Sequence, residues 1–140
     1  MTLVELVVTI GFLLIISTLC FPRESIEKYQ INSFTKQLCS DIRYVRRANM
    51  IGDINTYIYY TENNGSIGYT LRTKGSNIKE VILPKNTRIE HNVNKIKFRA
   101  DGSPDPRGGT IRIFSDNISK EITIVPISGR VLLKEGKYET

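Results

Sequence analysis

Residues 1–22 read MTLVELVVTIGFLLIISTLCFP, and no charged side chain occurs from Leu6 to Phe21. With Leu3 and Val4 this apolar run approaches the roughly 17–25 residues a helix needs to span a bilayer. A secretory signal peptide would start with basic residues, carry an apolar stretch of about 7–15 residues and end on small residues such as A-x-A. The start here has no basic residue, the run is longer, and Cys20-Phe21-Pro22-Arg23 offers no small-residue pair. The segment therefore reads as a retained helix. Glu5 is the exception within it, because an acid inside a membrane helix costs about 2.5–3.5 kcal/mol or more and usually signals a partner. Two readings of Glu5 are open. It lies shallow and reaches the interface, or it pairs with a cation, the nearest being a free α-amino group at residue 1 of its own chain or of a neighbouring subunit.

Beyond Pro22 the apolar residues Ile31, Phe34, Leu38, Ile42, Val45 and Ala48 recur at three- and four-residue steps, which predicts one buried face on a helix. Ser33, Lys36, Asp41, Arg43 and Arg47 are assigned to its other faces. The helix is expected to stop at Gly52, which suits a C-terminal cap. Pro22 kinks or locally opens it, so the expectation is one helix of about fifty residues and roughly 75 Å, with a hydrophobic first half and an amphipathic second half.

After Gly52 the pattern changes to short runs rich in Ile, Tyr, Thr and Val, separated by Asn, Gly, Ser and Pro. Strands are predicted at Thr56–Thr61, Ser66–Thr73, Ile78–Leu83, Lys95–Arg99, Thr110–Phe114, Glu121–Val125 and Arg130–Leu133, with turns at Asn63-Asn64-Gly65 and Asp116-Asn117. Ile111 and Ile113 alternate with Arg112, and Ile122 and Ile124 with Thr123, so one face of the sheet is buried and the other wet. Residues 100–109, ADGSPDPRGG, are the most loop-like stretch. The predicted class is α+β, a long N-terminal helix packed on an antiparallel sheet. Residues 1–22 form a transmembrane or filament-core segment, and residues 23–140 form a head that includes the amphipathic half of the helix.

The chain has 140 residues and a net charge of +6. With Glu5 set aside in the apolar segment, 20 basic residues face 13 acids, an excess of +7 in the part that meets water. Such an excess suits nucleic acid, anionic lipid or an acidic polymer as partner, and it also serves solubility alone. Seven basic residues, Lys85, Arg88, Lys95, Lys97, Arg99, Arg107 and Arg112, lie within one stretch that holds three acids. Contacts from such residues go to phosphates, with little sequence preference and a strong salt dependence. No aromatic ladder for single-stranded bases is evident, although Tyr57, Tyr59 and Tyr60 are candidates.

An enzyme is not indicated. His91, the only histidine, lies in a polar Glu-His-Asn turn and reads as exposed. Cys20 and Cys39 both fall in the predicted helix, roughly 28 Å apart, far beyond disulfide reach. Neither a Cys-His pair nor a metal cluster follows from the spacing, and no Gly-rich phosphate loop precedes a helix. No catalytic residue, metal or cofactor is assigned.

Met1, Thr2, Leu3, Val4, Glu5, Leu6 and Pro22 together resemble the mature N-terminus of type IV pilins and type II secretion pseudopilins. In that family a prepilin peptidase cuts after a glycine, the new first residue is methylated, and a run of the form F-T-L-I-E-L follows, often with Pro at the twenty-second position. Met1 here stands where Phe is usual. The C-terminal third is similar to the minor-subunit branch of the GspH class, the FimT-type minor pilins and the competence pseudopilin of Gram-positive bacteria. The matching elements are Ile96 to Gly102 (IKFRADG), Gly108 to Ile113 (GGTIRI), Ile122 to Val125 (ITIV) and Ser128 to Val131 (SGRV). Read physically, Asp101-Gly102 and Ser128-Gly129 are turns, and Gly108-Gly109 lets the backbone re-enter the sheet.

The resemblance implies a pilin-like fold and a non-enzymatic minor subunit of a type IV pilus, competence pilus or type II secretion filament, acting in assembly or at the tip. It implies Met1 as the processed, methylated terminus and Glu5 and Pro22 as assembly residues. It implies other pilins, the prepilin peptidase and an assembly platform as partners, with membrane lipid before assembly. The subunit would wait in the cytoplasmic membrane as a single-pass protein with its head outside the cytoplasm, then enter an extracellular or periplasmic filament. Some members bind DNA for uptake in natural transformation, through a C-terminal G-R-x-R. Here Gly129 and Arg130 match, Leu132 takes the second basic place and Lys134 follows. The alternative function is therefore DNA binding, with Lys95, Lys97, Arg99, Arg107, Arg112, Arg130 and Lys134 as candidate contacts.

Overall fold

The computed structural model describes residues 2–20, 23–116 and 118–135. Met1 and Pro22, two of the expected assembly residues, lie outside the described residues, as does Asn117 of the expected second turn. The helical expectation holds over both halves, which appear as α1 (Leu3–Leu19) and α2 (Arg23–Ile51). Cys20 caps α1, its N–H reaching Ser17 O at 3.3 Å.

Thr2 caps the N-terminus of α1, its hydroxyl accepting from the Glu5 N–H at 3.3 Å. Thr2 and Glu5 thus stand in the T-x-x-E spacing of a capping box, with the acid in the first turn where the helix dipole favours negative charge. The hydroxyls of Thr9, Ser17 and Thr18 donate to carbonyls of their own helix at 2.7–2.8 Å. No residue of α1 is buried, and Leu3 and Leu19 are 79% and 80% exposed.

α2 buries Ile31, Phe34, Leu38, Cys39, Ile42 and Val45, and Ala48 is half-buried. It ends at Gly52, where the Asp53 N–H bonds Ala48 O at 3.0 Å and the Gly52 N–H bonds Asn49 O at 3.1 Å, the two bonds of a Schellman motif. Asp41 departs from its expected solvent face. It is buried at 8% exposure, and its carboxylate accepts from Tyr69 Oη at 2.6 Å and Lys79 Nζ at 3.1 Å. Asp41 lies three residues after Leu38 and four before Val45, so it shares their side of the helix. Two strand residues satisfy it there. Burial, then the hydrogen bond to Asp41 and its charge, push the Tyr69 phenol well above its ordinary pKa.

Nine strands follow among the described residues: β1 (Tyr57–Asn63), β2 (Ser66–Thr73), β3 (Ser76–Ile82), β4 (Arg88–Glu90), β5 (Lys95–Phe98), β6 (Pro104–Asp105), β7 (Gly109–Phe114), β8 (Ser119–Ile124) and β9 (Val131–Glu135). All seven expected strands are present, and β4 and β6 are additional. They form two antiparallel sheets, ordered β3-β2-β1-β5-β6 and β4-β7-β8-β9. The β1–β2 hairpin turns at Asn64 and Gly65, whose φ values of 51° and 78° fit a two-residue type I′ loop. That loop sets the register, with Asn63 opposite Ser66 and Tyr57 opposite Arg72. One core joins α2 to both sheets through Ile58, Tyr69, Ile96, Phe98, Ile113 and Ile122. It contains no residue of α1, so the head is complete without that helix.

Asn49, 2% exposed, joins helix to sheet. Its Nδ2 donates to Asp53 O at 2.7 Å and Thr56 O at 2.9 Å, and its Oδ1 accepts from the Phe98 N–H at 2.8 Å. Asn49→Ala leaves these three main-chain groups without that partner, at about 1–3 kcal/mol for each buried unsatisfied group, partly relaxed. Denaturant unfolding of residues 24–140 is expected to show a loss of about 2–4 kcal/mol; a loss below about 1 kcal/mol would contradict the role given to this amide.

Candidate assembly and nucleic-acid surfaces

The expected site residues fall into two groups by element. Glu5 stands on α1, and its carboxylate has no partner among the described residues. Among those residues no helix is long and apolar enough to cross a membrane. α1 has 17 residues and rises about 25 Å, against a hydrocarbon core of about 30 Å.

The seven candidate nucleic-acid contacts do not form one patch. Arg112 lies on the outer face of the second sheet, where Glu90, Arg112, Glu121 and Lys134 stand directly opposite one another across four strands. Arg112 reaches Glu90 at 3.7 Å. This row alternates in sign and sums to zero, so Arg112 and Lys134 are compensated by acids beside them. Arg130 is exposed immediately before β9. Leu132, in the place of the second motif cation, is 39% exposed on the same side.

Lys95 and Lys97 lie on the outer face of the first sheet, because Ile96 and Phe98 of the same strand turn inward. Lys95 pairs with Tyr59 in register, and its Nζ sits 3.8 Å from the centroid of the Tyr57 ring. Arg72, opposite Tyr57, places its guanidinium 5.9 Å from that ring and donates to Tyr57 Oη at 3.3 Å. Arg99 faces Asp105 at 4.0 Å, and Arg107 donates to Asn92 O at 3.4 Å. Sequence reading missed Arg72, although counting back from the Asn64-Gly65 turn puts it across from Tyr57.

The motif glycines have a role beyond turning the chain. Gly102 and Gly129 both have positive φ, 86° and 67°, and they touch: a Cβ on Gly129 would overlap Gly102 O. Arg46 of α2 locks the contact, Nε donating to Gly102 O and Nη2 to Ser128 O, each at 3.1 Å. Arg43 donates to Val131 O at 3.2 Å. The segments 98–102 and 128–131 are thus bridged by Arg46, and Arg43 holds the second of them.

His91 is half-buried rather than exposed, and stacks on Tyr60 at 3.7 Å between ring centroids and 9° between planes. The pair lines a cleft of about 20 Å³ together with Lys95, Lys97, Asp105 and Arg107. Tyr60 Oη and His91 Nδ1 are buried there without a hydrogen-bond partner among the described residues. Burial lowers the His91 pKa from its ordinary 6.5, partly offset by a backbone hydrogen bond at Val93. Among the described residues no three His, Cys, Asp or Glu side chains cluster as a metal site would require. Cys39 is buried in the core and Cys20 is exposed.

The order of elements and the helix-on-sheets packing can now be compared with solved structures. Two crystal forms of the type IV minor pilin FimU from Pseudomonas aeruginosa strain PAO1 superpose on the chain. One matches with a TM-score of 0.58 at 15% identity, covering 77% of this chain and 90% of FimU. The other gives 0.55 at 16% identity, covering 74% and 91%. The chain has the fold of a type IV minor pilin. No protein-family profile and no curated protein matches it.

The His91 site of this pilin-like head makes a prediction about pH. The folded state favours neutral imidazole, so below the ordinary value of 6.5 the unfolded chain binds more protons than the folded one. Stability is fully present above that value and declines as the pH falls through it. Asp101, held below the usual carboxylate range by the Ser103 hydroxyl and N–H, loses its contribution only in more acid solution. The melting temperature of the head should therefore fall between about pH 7.5 and 5.5, and His91→Phe, which keeps a ring over Tyr60, should flatten that slope. An unchanged slope in the variant would show that His91 titrates normally.

Proposed function

We propose that the chain is a minor pilin or pseudopilin, a non-enzymatic structural subunit of a type IV pilus-like filament. The observation that carries this reading is an entirely unburied apolar helix, α1, attached to a head with a minor-pilin fold whose core is complete without it. Such a helix needs lipid or other subunits around it. In this reading residues 1–22 sit in the cytoplasmic membrane with the head, residues 23–140, outside the cytoplasm, and later pack in the filament interior. Prepilin peptidase and an assembly platform act on the chain, and Met1 is the processed terminus. Glu5 meets the terminal amine of a neighbouring subunit during docking.

The capping geometry at Thr2 supplies a sharper test of Glu5 than alanine does. Glu5→Gln retains a residue suited to the third helical position of a capping box and removes only the charge. Quantified in sheared filament fractions, incorporation of Glu5→Gln should fall about tenfold or more, equivalent to about 1.4 kcal/mol. Normal incorporation would reduce Glu5 to a capping residue.

A second reading is a DNA-capturing minor pilin, supported by the cations of the first sheet, of which Lys95 and Arg72 have no acid directly opposite them. In a salt series with residues 24–140, duplex or single-stranded DNA affinity should fall steeply with salt. A Lys95/Lys97/Arg99 triple alanine variant should weaken binding more than Arg112→Ala with Lys134→Ala, and Arg130→Ala reports on the C-terminal motif. Equal effects of the two sets would remove the first sheet as the contact face.

A further inference from the structure

The outer face of the first sheet carries an arrangement that positive charge alone does not require. Tyr57 and Tyr59 project from the central strand β1, on the side opposite to Ile58 of the core, with ring centroids 5.9 Å apart. Both are half-buried and therefore present part of each ring to solvent. Contacts outside the core hold them: Lys95 and Arg72 flank the Tyr57 ring, Arg72 bonds its hydroxyl, and Tyr59 Oη bonds Asn77 Oδ1 at 3.4 Å. Adjacent strands lie about 4.8 Å apart, so Arg72 on β2 and Lys97 on β5 bracket the tyrosines within about 10 Å. The acids on this face are on its edge strands, Glu80 on β3 opposite Thr70 and Asp105 on β6 opposite Lys97, so Arg72 and Lys95 are the cations with no acid directly across from them.

We infer that this face is a stacking platform for single-stranded nucleic acid, in which Tyr57 and Tyr59 take two unpaired bases and Arg72, Lys95 and Lys97 take the flanking phosphates. The inference rests on the DNA-capturing reading and narrows it from duplex to single strand. Rings offer a π surface to any base, so binding would tolerate sequence, while the bracketing cations follow the backbone. A duplex hides its base faces in its own stack and leaves the tyrosines unused. Lys95 over Tyr57 pre-orients that ring through a cation–π contact and is close enough to turn toward a phosphate when a base arrives.

The test uses residues 24–140, whose core is complete without α1, with a labelled oligothymidylate and a duplex of equal length. The single strand should bind more tightly than the duplex, with log affinity falling by about 2 per decade of salt for three phosphate contacts. Tyr57→Leu with Tyr59→Leu should cost about tenfold or more in single-strand affinity while leaving the salt slope unchanged. Arg72→Gln with Lys95→Gln should lower both affinity and slope, and Arg112→Gln with Lys134→Gln should alter neither. The chain contains no Trp, so quenching of tyrosine emission by the oligonucleotide reports stacking on the unaltered head if a variant fails to fold. Equal affinity for both DNAs, with no quenching and no effect of the tyrosine pair, overturns the platform and leaves DNA capture standing. Absence of binding to either DNA at low salt overturns both.

Discussion

The Asn49 carboxamide is the joint on which the head depends. Few side chains can donate two hydrogen bonds to separate carbonyls and accept one from an N–H at the same time. Here the three partners belong to the loop after α2, the residue leading into β1, and β5. The end of the helix is thereby tied to the central strand of the first sheet and to the strand beside it. Arg46, three residues earlier, and Arg43, three before that, extend the pattern to the Gly102 and Ser128 carbonyls and to Val131. A polar row at three-residue steps thus runs beside the apolar stripe of α2. It gathers main-chain groups from segments far apart in sequence, where hydrophobic packing alone would leave their alignment loosely specified.

α1 follows the opposite logic. Its hydroxyls bond back to its own carbonyls, and Thr2 takes one of the first N–H groups, so little polar surface points outward apart from Glu5. A helix satisfied internally can sit in lipid or against other helices without leaving unpaired groups behind. The head needs nothing from α1, and α1 contributes nothing to the head's core. The residue proposed for assembly and the face proposed for recognition therefore lie on separate elements, Glu5 on α1 and the cations on the first sheet of the head.

Much of this was legible beforehand, for identifiable reasons. Six apolar residues at helical spacing, from Ile31 to Ala48, located the buried stripe of α2, and the Asn64-Gly65 turn located a hairpin. β4 and β6 escaped because three and two residues are too few to display an alternation. Asp41 was assigned to solvent because it is charged, although its angle on the helix places it among Leu38, Ile42 and Val45. Its partners Tyr69 and Lys79 come from strands that periodicity cannot pair with a helix. Gly102 and Gly129 read correctly as turns, but their mutual contact depends on Arg46, a residue that neither motif contains. His91 looked exposed because its neighbours in sequence are polar, whereas the residue that covers it, Tyr60, is distant in sequence.

Electrostatics shows the same limit most clearly. A basic run in the sequence suggests a basic patch only if the fold keeps the run together, and a chain of short strands does not. The cluster from Lys85 to Arg112 is divided between two sheets, and its last member enters a row in which each cation has an acid opposite it, a pairing worth about 0.2–1 kcal/mol per contact. An anionic polymer approaching that row meets Glu90 and Glu121 as closely as Arg112 and Lys134. On the first sheet Lys95 is joined by Arg72, from outside the basic run, and the residues opposite these two on β1 are tyrosines rather than carboxylates, whereas Lys97 has Asp105 opposite it. The overall excess of +6 therefore says less about binding than the strand register does, because register decides which charges cancel locally and which remain to act on a partner.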